Sequence, residues 1–320
     1  MNRRITAALA ALAIAAATVT GCSSDSGDSA QPLTVGWVVD PCWSQVPAAQ
    51  DAGYFEQSGV DVEVVPFPTG AAALEALSGG AVDVATGGDV PTSAAALKNP
   101  DVRVIADGAR WDGGRFVARR SAGINSIADL SGRKIAVPLG SSAHYFATRF
   151  LDEAGVDAEL VQTGPSEVVT AITNHDVDAV AVFQPPLAKA VSTLGDDGIE
   201  LQGREKYNQH SLYLTTADTL AQRQDDLSAF LGAVRQADAP LTDRDPKALS
   251  AVAKATGLDD ELIGGVAQEF QFDTRLGPEL PADLADRARW AQSIGRIPQD
   301  AQVPDYATIV VAGPLDGSTK

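Results

Sequence analysis

From Leu33 onward, apolar runs of strand length alternate with segments of helical periodicity, the sequence sign of a parallel sheet with crossover helices. Leu33 to Val39 predicts the first strand; it ends at Asp40-Pro41, and helical character follows from Ser44 to Gln57, closed by Gly59. Val60 to Pro66 predicts the second strand, and Thr69-Gly70 opens a helix from Ala71 to Leu77 that Gly79-Gly80 ends. Val82 to Thr86 is the third strand, followed by Gly87-Gly88-Asp89, Pro91 at a first helical position, and a helix from Thr92 to Leu97. Val102 to Ala106 and Arg115 to Arg119 read as further strands leading to Gly123.

A second series starts after Asp129-Leu130. Lys134 to Val137 is a strand that Gly140-Ser141-Ser142 turns into a helix. There Ala143, Phe146, Ala147, Phe150 and Leu151 recur at intervals of three and four and form a buried stripe, while Arg149, Asp152 and Glu153 face water. Glu159 to Gln162 is a strand, Pro165-Ser166 starts a helix through Ile172, and Ala179 to Phe183 is a strand ending at Gln184-Pro185-Pro186. Ser211 to Thr215 reads as one more strand. Helical segments follow near Asp225 to Gln236, Pro246 to Thr256, Asp259 to Glu269 and Ala282 to Ile294. Two strand-rich α/β lobes with a helical C-terminal part is the simplest partition.

One apolar run stands apart from this alternation. Behind Arg3 and Arg4, Ile5 to Val19 is an alanine-rich stretch of the size of a signal-peptide core, too short to span a bilayer comfortably. Val19-Thr20-Gly21-Cys22 closes it, and Ser23-Ser24-Asp25-Ser26-Gly27-Asp28-Ser29 follows as a polar tether without periodicity. This resembles the lipobox of bacterial lipoproteins. The resemblance implies a signal peptide over 1–21, cleavage before Cys22, lipid on that cysteine, and a tether over 22–32 holding a domain at the outer face of the bacterial cell membrane. The alternative is a plain signal peptide with an incidental cysteine.

Composition narrows what is tethered. The chain has 2 cysteines, so acylation of Cys22 leaves Cys42 as a lone thiol and the fold without a disulfide. Roughly 290 residues remain beyond the tether, enough for one large domain or two lobes with their own cores. Acidic residues outnumber basic ones 42 to 24, which argues against a nucleic-acid partner.

A family resemblance then emerges from motifs in order along the chain. These are Gly53-Tyr54-Phe55 with Gly59-Val60-Asp61-Val62; Gly80-Ala81-Val82-Asp83-Val84; the run from Ile124 through Asp129-Leu130-Ser131-Gly132-Arg133-Lys134 to Val137; Val177-Asp178-Ala179; and Gln184-Pro185. They are similar to the nitrate, sulfonate and taurine substrate-binding family of ABC importers, over roughly residues 33 to 240. The Asp-Leu-Ser-Gly-Arg-Lys segment also occurs more broadly among periplasmic binding proteins. The resemblance implies a two-lobed type II periplasmic-binding-protein fold with a ligand cleft between the lobes. Its parts would be a first lobe over 33–116, a second over 117–212 and a return over 213–320, with crossings near Val117 and Leu212. It also implies a receptor that passes a small organic anion, with taurine or another alkanesulfonate as best candidate, to a membrane permease and its ATPase. Nitrate-type anions and thiamine-precursor pyrimidines share the framework. No cofactor is expected.

Ligands of open α/β sheets bind beyond the carboxyl ends of strands, where loops lead into helix N-termini. Thr69-Gly70-Ala71, Gly87-Gly88-Asp89, Gly140-Ser141-Ser142 and Pro165-Ser166 are such turns. An anion gains ~0.3 to 1 kcal/mol per helix end, or about 2 when partly buried, against the roughly 8 kcal/mol of micromolar affinity. Gly140-Ser141-Ser142-Ala143-His144 is the strongest element, since hydroxyls donate to an oxyanion without a fixed counter-charge and glycine admits backbone. In the family this turn resembles the one that contacts the anionic group; an ordinary helix N-cap is the alternative. Asp40, Asp89 and Asp112 follow strands and would suit a ligand ammonium or serve as N-caps. Trp43 and Trp111 could cover a short carbon chain, whereas Trp37 alternates within the first strand as core. Gln184 could bond ligand or pack at the hinge, and His144 is a ligand contact or a packed residue.

Catalysis has less support. The chain has no Gly-x-Ser-x-Gly elbow, and His144, His175 and His210 form neither a triad nor a zinc spacing, so no metal site is expected. An exported lyase or dehydratase using the same cleft, and an adhesion or signalling module, remain the readings of another class.

Overall fold

The computed structural model describes residues 31–318. The signal segment 1–21, Cys22 and tether residues 23–30 lie outside the described residues. In chain order the strands are β1 (Leu33–Val38), β2 (Val62–Phe67), β3 (Val84–Gly88), β4 (Val102–Trp111), β5 (Phe116–Arg119), β6 (Lys134–Val137), β7 (Glu159–Gln162), β8 (Ala179–Ala181), β9 (Gly198–Leu201), β10 (Gln209–Thr216) and β11 (Phe270–Arg275). They form a six-stranded sheet of order β11-β4-β10-β3-β1-β2 and a five-stranded sheet of order β7-β6-β8-β5-β9.

β1 lies parallel between β2 and β3. Helices cover both faces of such a strand, which is why it reads as an almost continuous apolar run with all but Thr34 of its residues buried. β6 holds the same place between β7 and β8. Antiparallel strands complete each sheet: β10 pairs with β3 and β4, and β5 with β8 and β9. The chain therefore passes between the sheets over 112–115 and again over 202–208. Both passages lie just before the residues near which crossings are expected: Val117 and Leu212 are inside β5 and β10, paired with Val180 and Asp107.

Several elements depart from the sequence expectation for local reasons. The helix expected over Ser44 to Gln57 is two, Gln45–Asp51 and Tyr54–Gln57, separated by Gly53 at φ 70°. β4 continues past Ala106 to Trp111 although Asp107 and Arg110 interrupt its apolar run, because the two charges pair at 3.2 Å inside the sheet. β11, in a region read as helical, is an edge strand whose Phe270, Phe272 and Thr274 are buried while Gln271 and Asp273 are exposed. The helix Ser142–Ala154 buries the expected stripe and also His144 and Tyr145, because the C-terminal helix Leu280–Ser293 covers a second face through Trp290 and Asp286.

Candidate functional site

The carboxyl ends of the parallel strands in both sheets converge on a cavity of about 280 Å³. After β1 come Asp40 and Trp43; after β2, Thr69, Gly70 and Ala71; after β3, Gly88 and Pro91. The other sheet contributes Leu139, Gly140, Ser141 and Ser142 after β6, Gly164 and Pro165 after β7, and Phe183 after β8. Val38, Pro138, Gln162 and Gln209 complete the wall. All the turns singled out from sequence meet here.

Glycine lets these turns come close. A Cβ on Gly88 would lie 2.9 Å from Ser142 Oγ of the other sheet's turn, and one on Gly70 would lie 3.2 Å from Pro91 Cγ and 3.3 Å from Gly87 Cα of the neighbouring turn in its own sheet. Thr69 caps the helix Gly70–Ser78 by accepting from Ala72 N–H at 3.2 Å, and Ser141 caps Ser142–Ala154 by accepting from Ala143 N–H at 3.2 Å. The earlier N–H groups at Gly70, Ala71 and Ser142 have no intrahelical acceptor, so they are the donors these turns offer a ligand. Ser141 donates its own proton to Pro138 O at 2.6 Å, which fixes the turn. Trp43 is held through Nε1 to Leu212 O at 3.1 Å.

Among the described residues, Asp40 is the sole ionisable group in the cavity wall, which contains no lysine, arginine or histidine. Its Oδ1 accepts from Cys42 N–H at 2.8 Å, and burial pushes the carboxyl up to about 7 against that hydrogen bond. Burial, followed by the Asp40 charge, raises the Cys42 thiol well above its usual range, so it is an unreactive neutral group. Gln209 donates from Nε2 to Cys42 Sγ at 3.1 Å, while its Oε1 is buried without a partner. No group of three or more His, Cys, Asp or Glu among the described residues could hold a metal ion.

Six sequence candidates lie outside the wall. Asp89 is fully buried, accepting from Arg287 Nε at 3.0 Å, from its own helix at Val90 N–H and from the Tyr207 phenol. Trp111 donates to Glu269 at 2.8 Å and stacks on Phe270. Ala143 belongs to the buried stripe. His144 accepts the Gly140 N–H at 3.1 Å and packs edge-on to Trp290; burial, then the Arg296 charge, lowers it to about 4, so the ring is neutral and buttresses the serine turn. Gln184 joins the passage between the sheets, donating to Glu269 and accepting from Ala188 N–H. Asp112 pairs with Lys206 at 2.7 Å on the surface.

Beside the cavity lies a polar cluster. Arg287 bonds Asp89, Tyr145 at 3.2 Å and Asp286 at 2.9 Å, and Tyr145 donates to Asp286 at 2.7 Å. His210 sits between Asp107 at 2.7 Å and Asp283 at 3.0 Å; burial opposes its charge, but those carboxylates outweigh it and push the imidazole up to about 10.

The chain matches the family described as NMT1/THI5 like over residues 43–247. A protein of Brucella abortus (strain 2308) is 28% identical over 158 residues, 48% of each chain, so the match spans about half the length of that curated relative. The taurine-binding periplasmic protein of Escherichia coli (strain K12) is 24% identical over 286 residues, 83% of this chain and 87% of the relative. The periplasmic aliphatic sulphonate binding protein SsuA from Escherichia coli superposes with a TM-score of 0.75 at 21% identity, over 88% of this chain and 92% of that one. The alkanesulfonate-binding protein SsuA from Xanthomonas axonopodis pv. citri, bound to MOPS, gives 0.75 at 20% identity, over 88% and 98%. The fold is that of the periplasmic binding proteins.

Proposed function

This chain belongs to the NMT1/THI5-like family, and from that premise we propose that it is the solute receptor of an ABC importer for a small organic anion, taurine or another alkanesulfonate. The observation that carries the reading is the cavity built from strand-to-helix turns of both sheets, whose N–H groups at Gly70, Ala71 and Ser142 suit an oxyanion. The names of the taurine-binding and sulphonate-binding relatives support the ligand class. Contacts come from Asp40, Trp43, Thr69, Gly70, Gly88, Gly140, Ser141 and Ser142, joined by Gln162, Phe183 and Gln209. The two halves close on the ligand by bending at 112–115 and 202–208. The closed form is handed to a permease and its ATPase, and lipid on Cys22 keeps the receptor at the outer face of the membrane.

A thermal-unfolding screen tests this against taurine, alkanesulfonates, nitrate, bicarbonate and pyrimidines. A sulfonate present at a hundred times its Kd stabilises the native state by about 2.7 kcal/mol. No shift with any sulfonate, or chemical turnover of one that binds, rejects the reading.

A further inference from the structure

We infer that Asp40 and Gln209 form a seat for a protonated amine, so that the ligand is a short zwitterion with an ammonium at one end and an oxyanion at the other. This rests on the receptor reading above and narrows its substrate class from sulfonates in general to aminoalkanesulfonates.

The geometry begins with two acceptors. Asp40 and Gln209 are each 2% exposed and line the same cavity. Cys42 links them: its N–H donates to Asp40 Oδ1, and its sulfur accepts from Gln209 Nε2. That arrangement commits the amide nitrogen and leaves Gln209 Oε1 as a buried acceptor without a donor. Unpaired buried acceptors are rare because they forfeit their hydration, and a ligand N–H restores the missing bond. A lone anion in this cavity meets a carboxylate and no cation. An ammonium meets two oxygens and, beside them, the indole of Trp43.

Spacing favours a short linker. A Cβ on Gly88 would lie 2.9 Å from Ser142 Oγ on the donor side and 3.9 Å from Gln209 Cδ on the acceptor side. The oxyanion donors and the amine seat are therefore a few ångströms apart, the reach of a two-carbon spacer.

The charges around Asp40 leave its titration to the ligand. Cys42 is the titratable group that touches it, and it is neutral. On the neighbouring elements, Asp89 after β3 pairs with Arg287 of the helix Leu280–Ser293, and His210 of β10 pairs with Asp107 of β4 and Asp283. With the free carboxyl at about 7, an ammonium ligand displaces its proton, so taurine affinity rises as pH increases through that value. A ligand bearing only an anion favours the protonated acid and weakens over the same range.

Calorimetric titration of the purified protein with taurine and with propane-1-sulfonate, its isostere carrying methyl in place of ammonium, tests the seat. At pH 8 the wild-type protein is expected to bind taurine at least about 30-fold more tightly, the scale of a buried charge contact. Asp40→Asn, which keeps an acceptor for the Cys42 N–H, reverses the order; Gln209→Leu weakens taurine more than propanesulfonate. Equal wild-type affinities, or a taurine preference that survives Asp40→Asn in a variant with a cooperative melt, overturn the seat while leaving a sulfonate receptor. Failure of both sulfonates with Asp40-dependent binding of ethylamine keeps the seat and rejects the sulfonate reading. Failure of all three ligands overturns both.

Discussion

Gly88 lines the cavity, while the next residue, Asp89, is buried against Arg287. Gln209 lines it, while His210 is buried between Asp107 and Asp283. Ser142 lines it, while Tyr145, one turn on, joins Asp286 and Arg287. The cavity and the polar cluster are thus built from adjacent positions of the same segments, separated by the alternation of a strand and the turn of a helix. In the cluster, carboxylates meet arginine, histidine or phenol at hydrogen-bond distance. In the cavity, one carboxyl is left without a cationic partner. Charge that neutralises charge supports the fold; charge that lacks a partner is available to a ligand.

Arg287→Met is the severest break of that contrast. It leaves Asp89, fully buried, with the phenol of Tyr207 but no cation, which costs about 3–5 kcal/mol. Urea unfolding at pH 7 reads the loss, and an unchanged midpoint means the pair contributes nothing net. His210 gives the same region a pH signature. Its folded pKa of about 10 is raised above the 6.5 of a free imidazole, so its stabilisation is complete below about pH 6.5 and disappears as pH rises toward 10. The expected decline of a few kcal/mol across that window flattens in His210→Gln; a wild-type profile level from pH 6.5 to 10 contradicts the assignment.

Asp40→Asn moves stability in the opposite direction. An aspartate whose folded pKa is raised from 3.8 to about 7 binds more protons in the native state, so it costs stability increasingly over that window. The variant is therefore more stable than wild type at pH 8 in the absence of ligand, by about 4 kcal/mol. At pH 3 the two coincide. A variant less stable than wild type at pH 8 places Asp40 with the supporting charges instead.

The sequence exposes strand ends more readily than side-chain directions, and that difference accounts for both the successes and the errors at the site. The apolar runs of β1, β6 and β7 fall close to their observed bounds because such strands are bounded by sharp polar turns. β4 is misread beyond Ala106 because Asp107 and Arg110 look like a loop until their partners on other elements are known. The rule that ligands sit beyond strand ends selects Gly88 and Asp89 together, and Ser142 with Ala143 and His144; only packing sends Asp89, Ala143 and His144 away from the cavity. Gln209 carried no signal as a site residue. It begins β10, and only the antiparallel pairing of β10 with β3 brings that start to the carboxyl ends of the parallel strands.

Ser142 is where the two regions come together, and the smallest effect tests whether they are separable. Its hydroxyl favours the ionised form of the Tyr207 phenol against the burial that raises it, and Tyr207 donates to Asp89, so cavity and cluster are linked through this phenol. Ser141 makes no such link: it closes its own turn between Ala143 N–H and Pro138 O, and alanine there costs about 1 kcal/mol as a lost helix cap. A double-mutant cycle of Ser142→Ala with Tyr207→Phe is expected to show a coupling of about 0.5–1 kcal/mol in unfolding free energy. The parallel cycle of Ser141→Ala with Tyr207→Phe is additive within about 0.3 kcal/mol. Coupling in both cycles means that the serine turn and the cluster move as one body, and the division between a supporting region and a ligand-facing one fails at this point. Coupling confined to Ser142 makes that hydroxyl the path by which occupancy of the cavity is felt at Asp89 and Arg287, and taurine saturation then changes the cycle's value while leaving the Ser141 cycle at zero.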